Sequence, residues 1–356
     1  MRVRHLPGLR ATAARRRPRT ALGAVLQRWP GAAVAQRRLG GTAGAARGRR
    51  GMSSAGLRVD LGRGLVLPNP VGLASGTAGY GFELAQLIDL DRLGALYTKG
   101  TTRLPREGNP PPRVAETERG MLNSIGLHNP GVDWVAEHYA PLFAAWRIPV
   151  VVNVAGAEIS DYMHCARHLD GVEGVAGVEL NISCPNIAHG LDFGRDAAGA
   201  ARLVDAVRAV TGRHVMVKLS PNVTDIAAVA RAVEGAGADS VSAVNTYVGM
   251  KIHRASGRPV LPQGTGGLSG PAIHPLALAA VAEVRAAVRI PVVAAGGIDD
   301  VATAFDFFAV GADAIQVGTA SFADPTTALR VLDGLAERAA AGRIPARWGT
   351  TAVGSP

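Results

Sequence analysis

The sequence has 356 residues, of which 47% are hydrophobic and only 4% are aromatic. This length and apolar content suit one large α/β domain, and no uninterrupted apolar run of about 18 residues exists to predict a membrane-spanning helix. The two cysteines, Cys165 and Cys184, are too few for a disulfide framework, a zinc cage or an iron–sulfur site, and they fit a reduced, cytoplasmic setting.

The net charge of +10 comes from residues 1–51. This segment holds 13 of the 38 basic residues and no acidic one, which leaves 25 basic against 28 acidic residues in the rest of the chain. The overall charge therefore predicts no nucleic-acid surface on the body. We interpret residues 1–51 as a disordered Arg-rich extension, or as upstream codons before a start at Met52. An organellar transit peptide and a segment that binds nucleic acid or anionic membrane are the alternatives.

From residue 70 onward, eight short β-rich runs alternate with eight helical patterns. Most of the β-rich runs are continuously apolar, as strands buried on both faces require. The predicted strands are 71–75, 95–99, 150–155, 177–183, 215–220, 240–245, 292–295 and 314–318. The predicted helices are 83–93, 132–146, 158–169, 196–210, 224–234, 275–288, 301–310 and 326–341. Asp196, Thr224 and Asp300 are the predicted N-cap or first-turn residues.

Eight strand–helix pairs in one chain predict a single (β/α)8 TIM barrel, an α/β fold, over residues 52–345, followed by a flexible tail at 346–356. A doubly wound open sheet is the alternative, but no Gly-x-Gly-x-x-Gly turn follows the first strand. Two long connections, 101–131 and 247–273, follow strand C-termini, where barrel enzymes place their sites. We interpret both as active-site loops.

Polar residues stand at the ends of five consecutive predicted strands. A single one would usually be a satisfied structural group, but five together predict a ligand, because each buried amide or ammonium costs free energy unless it is paired. The residues are Lys99, Asn153, Asn181, Lys218, Asn245 and Thr246.

The last two strands end differently, in Gly296-Gly297 and in Gly318-Thr319. Ordinary turns would also use glycine, but glycines let backbone N–H groups approach an anion, and this fold places phosphate after its last two strands. We therefore expect a phosphorylated ligand there.

The two cysteines differ in context. Cys165 lies inside a predicted helix and is expected to be an inert core residue. Cys184 stands in a strand-end loop between Asn181 and Asn186, where a thiolate could act as a base or nucleophile. His164 and His168 share a helix face, but no Glu lies between them, so we expect no metal site.

The run 181–186, Asn-Ile-Ser-Cys-Pro-Asn, resembles the active-site motif of the class 1 dihydroorotate dehydrogenases. Further motifs agree over residues 57–335, and the turn at 99–102 and the loop at 121–127 resemble subclass 1B. The other matching segments are 73–76, 108–113, 120–131, 217–225, 266–272 and 316–319.

The resemblance implies an FMN-dependent oxidation of (S)-dihydroorotate to orotate in pyrimidine (UMP) biosynthesis, with Cys184 as the catalytic base that takes the C5 proton while hydride leaves C6 for the flavin. The implied substrate residues are Lys99, Asn123, Ser124, Ile125, Gly126, Leu127, Asn181, Asn245 and Thr246. The implied FMN residues are Ser75, Lys99, Gly100, Asn153, Asn181, Lys218, Val244, Gly270, Gly296, Gly297, Gly318 and Thr319.

Subclass 1B also implies a partner subunit that carries FAD and a 2Fe–2S cluster and passes electrons to NAD, around a homodimeric core of a heterotetramer. One rival is the flavin barrel of a dihydropyrimidine dehydrogenase, which acts on uracil-like bases. The orotate carboxylate would explain Lys99 and the Asn123 loop better. A rival of another class is a non-catalytic module that binds nucleic acid through residues 1–51.

Overall fold

The computed structural model describes residues 57–183 and 193–343. Sixteen strands in chain order are β1 Val59–Asp60, β2 Val66–Leu67, β3 Val71–Leu73, β4 Ala95–Tyr97, β5 Val114–Thr117, β6 Gly120–Asn123, β7 Val150–Val154, β8 Gly177–Asn181, β9 His214–Lys218, β10 Ser240–Ala243, β11 Tyr247–Gly249, β12 Ile252–His253, β13 Arg258–Pro259, β14 Gly266–Ser269, β15 Val292–Ala295 and β16 Ala314–Val317.

The α-helices of the described residues are α1 Phe82–Ala85, α2 Val132–Trp134, α3 Ala140–Phe143, α4 Ile159–Leu169, α5 Ala197–Arg208, α6 Ile226–Gly235, α7 His274–Ala287, α8 Val301–Val310, α9 Ala320–Ala323 and α10 Thr327–Ala340. A π-helical segment, Val135–Tyr139, joins α2 to α3. Short 3-10 turns occupy Leu90–Arg92 and Pro271–Ile273.

Eight parallel strands close into a barrel in the order β3-β4-β7-β8-β9-β10-β15-β16 and back to β3. The predicted (β/α)8 barrel is confirmed, and the open-sheet alternative is excluded by the pairing of β16 with β3. All eight predicted strands occur, each within a few residues of its expected bounds. Their residues are almost all buried, because helices cover the outside and side chains fill the inside.

The helices agree less well with the sequence prediction. The expected helix 83–93 is wrong: only α1 and one 3-10 turn form, since Asp89 accepts from the Asp91 N–H and begins a new turn there. Helix α6 is capped by Asp225, whose Oδ1 accepts from Ala228 N–H at 2.7 Å, rather than by Thr224. Asp196 and Asp300 do cap their helices.

The two long connections carry strands of their own. Strands β5 and β6 come from the first connection and β11 and β14 from the second, and they pair in the order β11-β14-β6-β5. The second connection also forms the small hairpin β12-β13. The two connections therefore fold into one antiparallel sheet beside the C-terminal ends of the barrel strands.

A hairpin at the start of the described residues packs against the opposite end of the barrel. Leu61, Leu65 and Leu67 of the β1-β2 hairpin are buried against inward-facing residues that include Tyr97 and Met216. The hairpin was not predicted from the sequence. It seals the N-terminal end of the barrel with apolar surface, so the C-terminal end is left for ligands.

Among the described residues, no helix is both long and apolar enough to span a membrane. The predictions for residues 1–51 and 346–356 fall outside the described ranges.

Candidate functional site

Lys218 ends β9 inside the barrel, with only 4% of its surface exposed. Its Nζ donates to Ser75 Oγ at 3.0 Å and to Gln316 Oε1 at 3.4 Å. Both partners are uncharged, and an ammonium group buried among neutral partners is costly unless an anionic or electron-rich group binds beside it. The predicted pair Ser75 and Lys218 is therefore brought together at a position suited to a ligand.

Asn153, on β7, is 1% exposed and lies next to the turn that follows β4. Its Nδ2 donates to Glu179 Oε2 at 2.6 Å. Its Oδ1 points to the opposite side and lies close to Gly100. If Gly100 carried a Cβ, that atom would be 3.2 Å from Asn153 Oδ1. The predicted residues Asn153 and Gly100 are thus neighbours, and the backbone of the turn passes close to the amide.

The glycine turns after β14, β15 and β16 meet. A Cβ on Gly297 would lie 2.9 Å from the Gly270 oxygen, and a Cβ on Gly270 would lie 3.4 Å from Thr319 Cγ2. Both glycines have φ in the left-handed region, +70° and +96°, so a side chain there would be strained as well as crowded. The predicted phosphate-site residues therefore lie together.

This glycine cluster offers hydrogen-bond donors. Within the described ranges, no residue accepts from the backbone N–H of Gly296, Gly297, Gly318 or Thr319. Backbone N–H groups that converge without partners form a favourable site for an anion. Gly318 also packs against the segment that leads to Ser75, since its Cβ would lie 3.3 Å from Ala74 Cβ. The donor cluster and Lys218 are thereby connected, and together they fit a phosphorylated flavin.

The predicted substrate amides form a second group. Asn245 Nδ2 donates to Asn181 Oδ1 at 3.1 Å, and Asn245 Oδ1 accepts from Thr246 N–H at 2.8 Å. Asn123 Nδ2 donates to Gly267 O at 3.2 Å, and Gly267 packs directly on Thr246 Oγ1. The four residues Asn123, Asn181, Asn245 and Thr246 are therefore brought to one place, although they come from β6, from β8 and from the segment after β10.

The loop after β6 is held by two asparagines. Asn109 Nδ2 donates to Ser124 Oγ at 2.9 Å, and Asn129 Nδ2 donates to Leu127 O at 2.7 Å. Leu127 has a positive φ of 58° and turns its side chain toward Gly100, where a Cβ would lie 3.2 Å from Leu127 Cδ2. Ser124 uses its hydroxyl inside the protein, so its predicted contact with substrate stays a prediction.

The rest of the predicted loop lies between these anchors. Ile125 O accepts from Asn109 N–H at 3.0 Å, and Gly126 has φ of +72° and packs on the Asn109 side chain.

Val244, a predicted flavin contact, follows β10. Its N–H donates to Ala295 O at 2.9 Å, and the preceding peptide bond is cis.

Lys99 follows β4 and is only partly exposed. Burial lowers the pKa of its ammonium group, and the nearby Arg113 guanidinium lowers it further, while Glu83 acts in the opposite direction. No described residue accepts a hydrogen bond from Lys99 Nζ. A partly desolvated cation of this kind is suited to bind a carboxylate.

Cys184, the predicted catalytic base, lies outside the described residues. The last described residues before it are placed in the amide group: Ser183 N–H donates to Asn181 Oδ1 at 3.2 Å. The Asn181 carbonyl accepts from the Tyr162 hydroxyl at 2.7 Å. The strand end from which Cys184 follows is therefore fixed by Asn181.

Four polar residues of the site were missed in the sequence. Glu179 and Gln316 each interrupt a predicted apolar strand, and this interruption was the available signal. Asn109 and Asn129 are loop asparagines, and no local pattern distinguishes them from ordinary turn residues.

The remaining candidate groups lie on α4. Burial raises the pKa of the Cys165 thiol to about 12, as expected of an inert core cysteine. Asp133 joins His164 and His168, with potential ligand atoms within 4.8 Å of one another, and His168 Nε2 lies 3.4 Å from Asp133 Oδ1. An exposed contact between a histidine and a carboxylate needs no metal ion, and the absence of a metal site stays a prediction.

Comparison with known proteins identifies the family. The profile described as "Dihydroorotate dehydrogenase" matches residues 61–339. A relative from Porphyromonas gingivalis, named "Dihydroorotate dehydrogenase B (NAD(+)), catalytic subunit", is 48% identical over 278 residues, which cover 78% of this chain and 91% of the relative. A relative of the same name from Desulforamulus reducens is 49% identical over 280 residues, covering 78% and 92%. The chain therefore belongs to the dihydroorotate dehydrogenase family, within class 1B.

Proposed function

We propose that this chain is the catalytic subunit of a flavin enzyme that oxidises (S)-dihydroorotate to orotate in pyrimidine biosynthesis. The observation that carries the proposal is the convergence of Lys218, Asn153 and the glycine turns on one side of the site, next to a second group of amides. This arrangement supports a cofactor site and a substrate site that adjoin at one barrel face. The relatives of 48% and 49% identity are named for this reaction.

FMN fits the cofactor side of the site. The backbone N–H groups of Gly296, Gly297, Gly318 and Thr319 would hold its phosphate, and Lys218 would lie near the ring, where a fixed positive charge favours the reduced flavin. When bound, FMN accepts the hydride that leaves C6 of dihydroorotate. Ser75, Asn153 and Gly270 complete the predicted contacts.

The protein's own residues bind the substrate and move its proton. Lys99 would pair with the carboxylate of dihydroorotate, and the amides of Asn123, Asn181 and Asn245 would bind the ring N–H and C=O groups. Cys184 would take the proton from C5, and the described residue before it, Ser183, donates its N–H to Asn181 Oδ1. Asn181 and Asn245 bond to each other, so each offers only its remaining polar atoms to substrate.

Two substrates separate this proposal from its alternative. The purified protein, loaded with FMN, is mixed without oxygen with dihydroorotate or with dihydrouracil, and flavin reduction is followed by absorbance. We expect rapid reduction by dihydroorotate only, since dihydrouracil has no carboxylate for Lys99. Faster reduction by dihydrouracil would favour the dihydropyrimidine dehydrogenase activity instead. Failure of the folded protein to take up FMN would contradict the cofactor assignment.

The electron acceptor is proposed to be NAD, reached through a partner subunit with FAD and a 2Fe–2S cluster. The relatives' name contains both "NAD(+)" and "catalytic subunit", and the two cysteines of this chain are too few to hold an iron–sulfur cluster. We further propose a homodimer of this chain at the core of a heterotetramer.

The acceptor proposal is tested by purifying the chain alone and with a co-expressed partner. The lone chain should reduce its FMN with dihydroorotate but reduce NAD poorly, and the partner should restore NAD reduction without changing the first half-reaction. NAD reduction by the lone chain at the rate of flavin reduction would remove the need for a partner.

A further inference from the structure

Glu179 is a fully buried carboxylate at the centre of the barrel that the proposed chemistry does not use. Its oxygens accept hydrogen bonds from three side chains on three other strands: Asn153 Nδ2 at 2.6 Å, Ser242 Oγ at 2.7 Å and Gln316 Nε2 at 3.0 Å. All three donors are neutral. A buried carboxylate without a direct cation is expensive to maintain, so its place beneath the site calls for an explanation.

The carboxylate fixes the orientation of two amides. An ionised carboxylate only accepts hydrogen bonds, so both Asn153 and Gln316 must turn their NH2 groups toward it. Their carbonyl oxygens then point the other way. Gln316 Oε1 faces Lys218 Nζ at 3.4 Å, and Asn153 Oδ1 faces the backbone at Gly100.

Without the carboxylate, this orientation is no longer imposed. If residue 179 were an amide, one of its two ends would be a donor and would face a donor of Asn153 or Gln316. One of these amides would have to turn over. A turned Gln316 would present NH2 to the Lys218 ammonium, and a turned Asn153 would present NH2 instead of a carbonyl oxygen toward Gly100.

We propose that Glu179 is a positioning residue that orients Asn153 and Gln316, and through Gln316 the Lys218 ammonium, for flavin binding. The inference rests on the proposed function, because it assumes that FMN occupies this side of the site. Ser242 provides the matched control, since its hydroxyl bonds to the same carboxylate and forms no described hydrogen bond with Lys218, although the two residues are neighbours across β9 and β10.

The test measures the dissociation constant of FMN by fluorescence titration of the flavin-free full chain. Glu179→Gln should weaken FMN binding by roughly tenfold or more, the equivalent of about one lost hydrogen bond. Ser242→Ala should leave FMN affinity within about twofold of the wild type, because it removes a donor without freeing an amide.

A rescue distinguishes positioning from general disruption. In the double variant Glu179→Gln/Asn153→Asp, the amide and the carboxylate change places, so the new Gln donates to the new Asp and an acceptor oxygen again faces Gly100. FMN affinity should recover in part. Equal FMN affinity of wild type and Glu179→Gln, or a double variant weaker than Glu179→Gln alone, would overturn the proposal.

A second pair of variants applies if Glu179→Gln does not fold. Gln316→Met and Ser242→Ala each remove one hydrogen bond to Glu179, but only Gln316 also accepts a hydrogen bond from Lys218. Gln316→Met should weaken FMN binding and Ser242→Ala should not, and equal effects would contradict the inference. If the wild-type chain itself fails to bind FMN, the proposed function fails rather than the role of Glu179.

Discussion

The two ends of the barrel differ in how completely their polar groups are hydrogen-bonded. At the N-terminal end, Asp239 accepts from Arg63 at 2.8 Å, from Arg208 at 2.7 Å and from Val215 N–H at 2.8 Å. His214 is bonded through both ring nitrogens, to Gly62 O at 3.0 Å and Ser240 Oγ at 2.8 Å. Both side chains are thus fully hydrogen-bonded within the fold, and they contribute to its stability.

At the C-terminal end, polar groups keep unused capacity. The Lys99 ammonium group donates to no described acceptor, and the glycine cluster has N–H groups without described partners. Lys218 has only neutral partners. Buried polar groups without hydrogen-bond partners or a counter-charge lower the stability of the fold unless a ligand supplies them. The fold is therefore stabilised at one end, and the polar residues of the other end are left available for binding.

The largest effect on activity is expected at the C-terminal end of the barrel. Cys184→Ala should lower dihydroorotate oxidation by about 10²–10⁴-fold, the usual cost of removing a general base, while bound flavin keeps its absorption spectrum. Cys184→Ser should keep partial activity at high pH. Cys165→Ala is the control, because that thiol is buried in α4, and it should retain turnover. Near-wild-type turnover in Cys184→Ala would assign the base to another residue.

The next largest effect, on stability, is expected at the N-terminal end of the barrel. Asp239→Asn leaves Arg208 partly buried without its carboxylate and should lower the free energy of unfolding by about 3 kcal/mol, measured by urea titration. Turnover of the folded variant should not change. Asp333→Asn breaks an exposed pair with Arg92 and serves as the control, for which we expect about 0–1 kcal/mol. A loss of turnover in Asp239→Asn with unchanged stability would show that Asp239 serves the reaction and not the stability of the fold.

Lys99→Met should weaken orotate binding by about 2 kcal/mol, or roughly 30-fold, because a charge-assisted hydrogen bond is lost. The wild type should also show a pH dependence. Burial lowers the Lys99 pKa in the free protein and a bound carboxylate raises it, so affinity is full below the free-state pKa and falls as pH rises through it. Of the three lysines in the chain, the exposed Lys251 gives the control Lys251→Met, which should leave both properties unchanged. Orotate affinity that is independent of Lys99 would remove it from the substrate site.

The smallest effect is expected from the N-terminal extension. Deletion of residues 1–51 should leave the melting temperature, FMN content and turnover unchanged, because the segment is Arg-rich, acid-free and outside the barrel pattern. A large fall in any of the three would give this segment a role in the folded protein.

The barrel could be predicted because buried parallel strands produce continuous apolar runs, and residues at strand ends necessarily meet at one face. The polar side chains inside the barrel could not be predicted. Whether Glu179 and Gln316 point inward depends on strand register, which a run of four or five apolar residues does not specify. The sheet that contains β6 and β14 was missed for a related reason, because its partner strands are short and lie far apart in the chain.

The most direct test is the rate at which dihydroorotate reduces bound flavin after anaerobic mixing, measured side by side in Lys99→Met and Asp239→Asn at a subsaturating substrate concentration. We expect slow reduction in Lys99→Met and a wild-type rate in Asp239→Asn, although only the second variant is strongly destabilised. A wild-type rate in Lys99→Met, or a slow rate in folded Asp239→Asn, would contradict the division of the barrel into a binding end and a stabilising end.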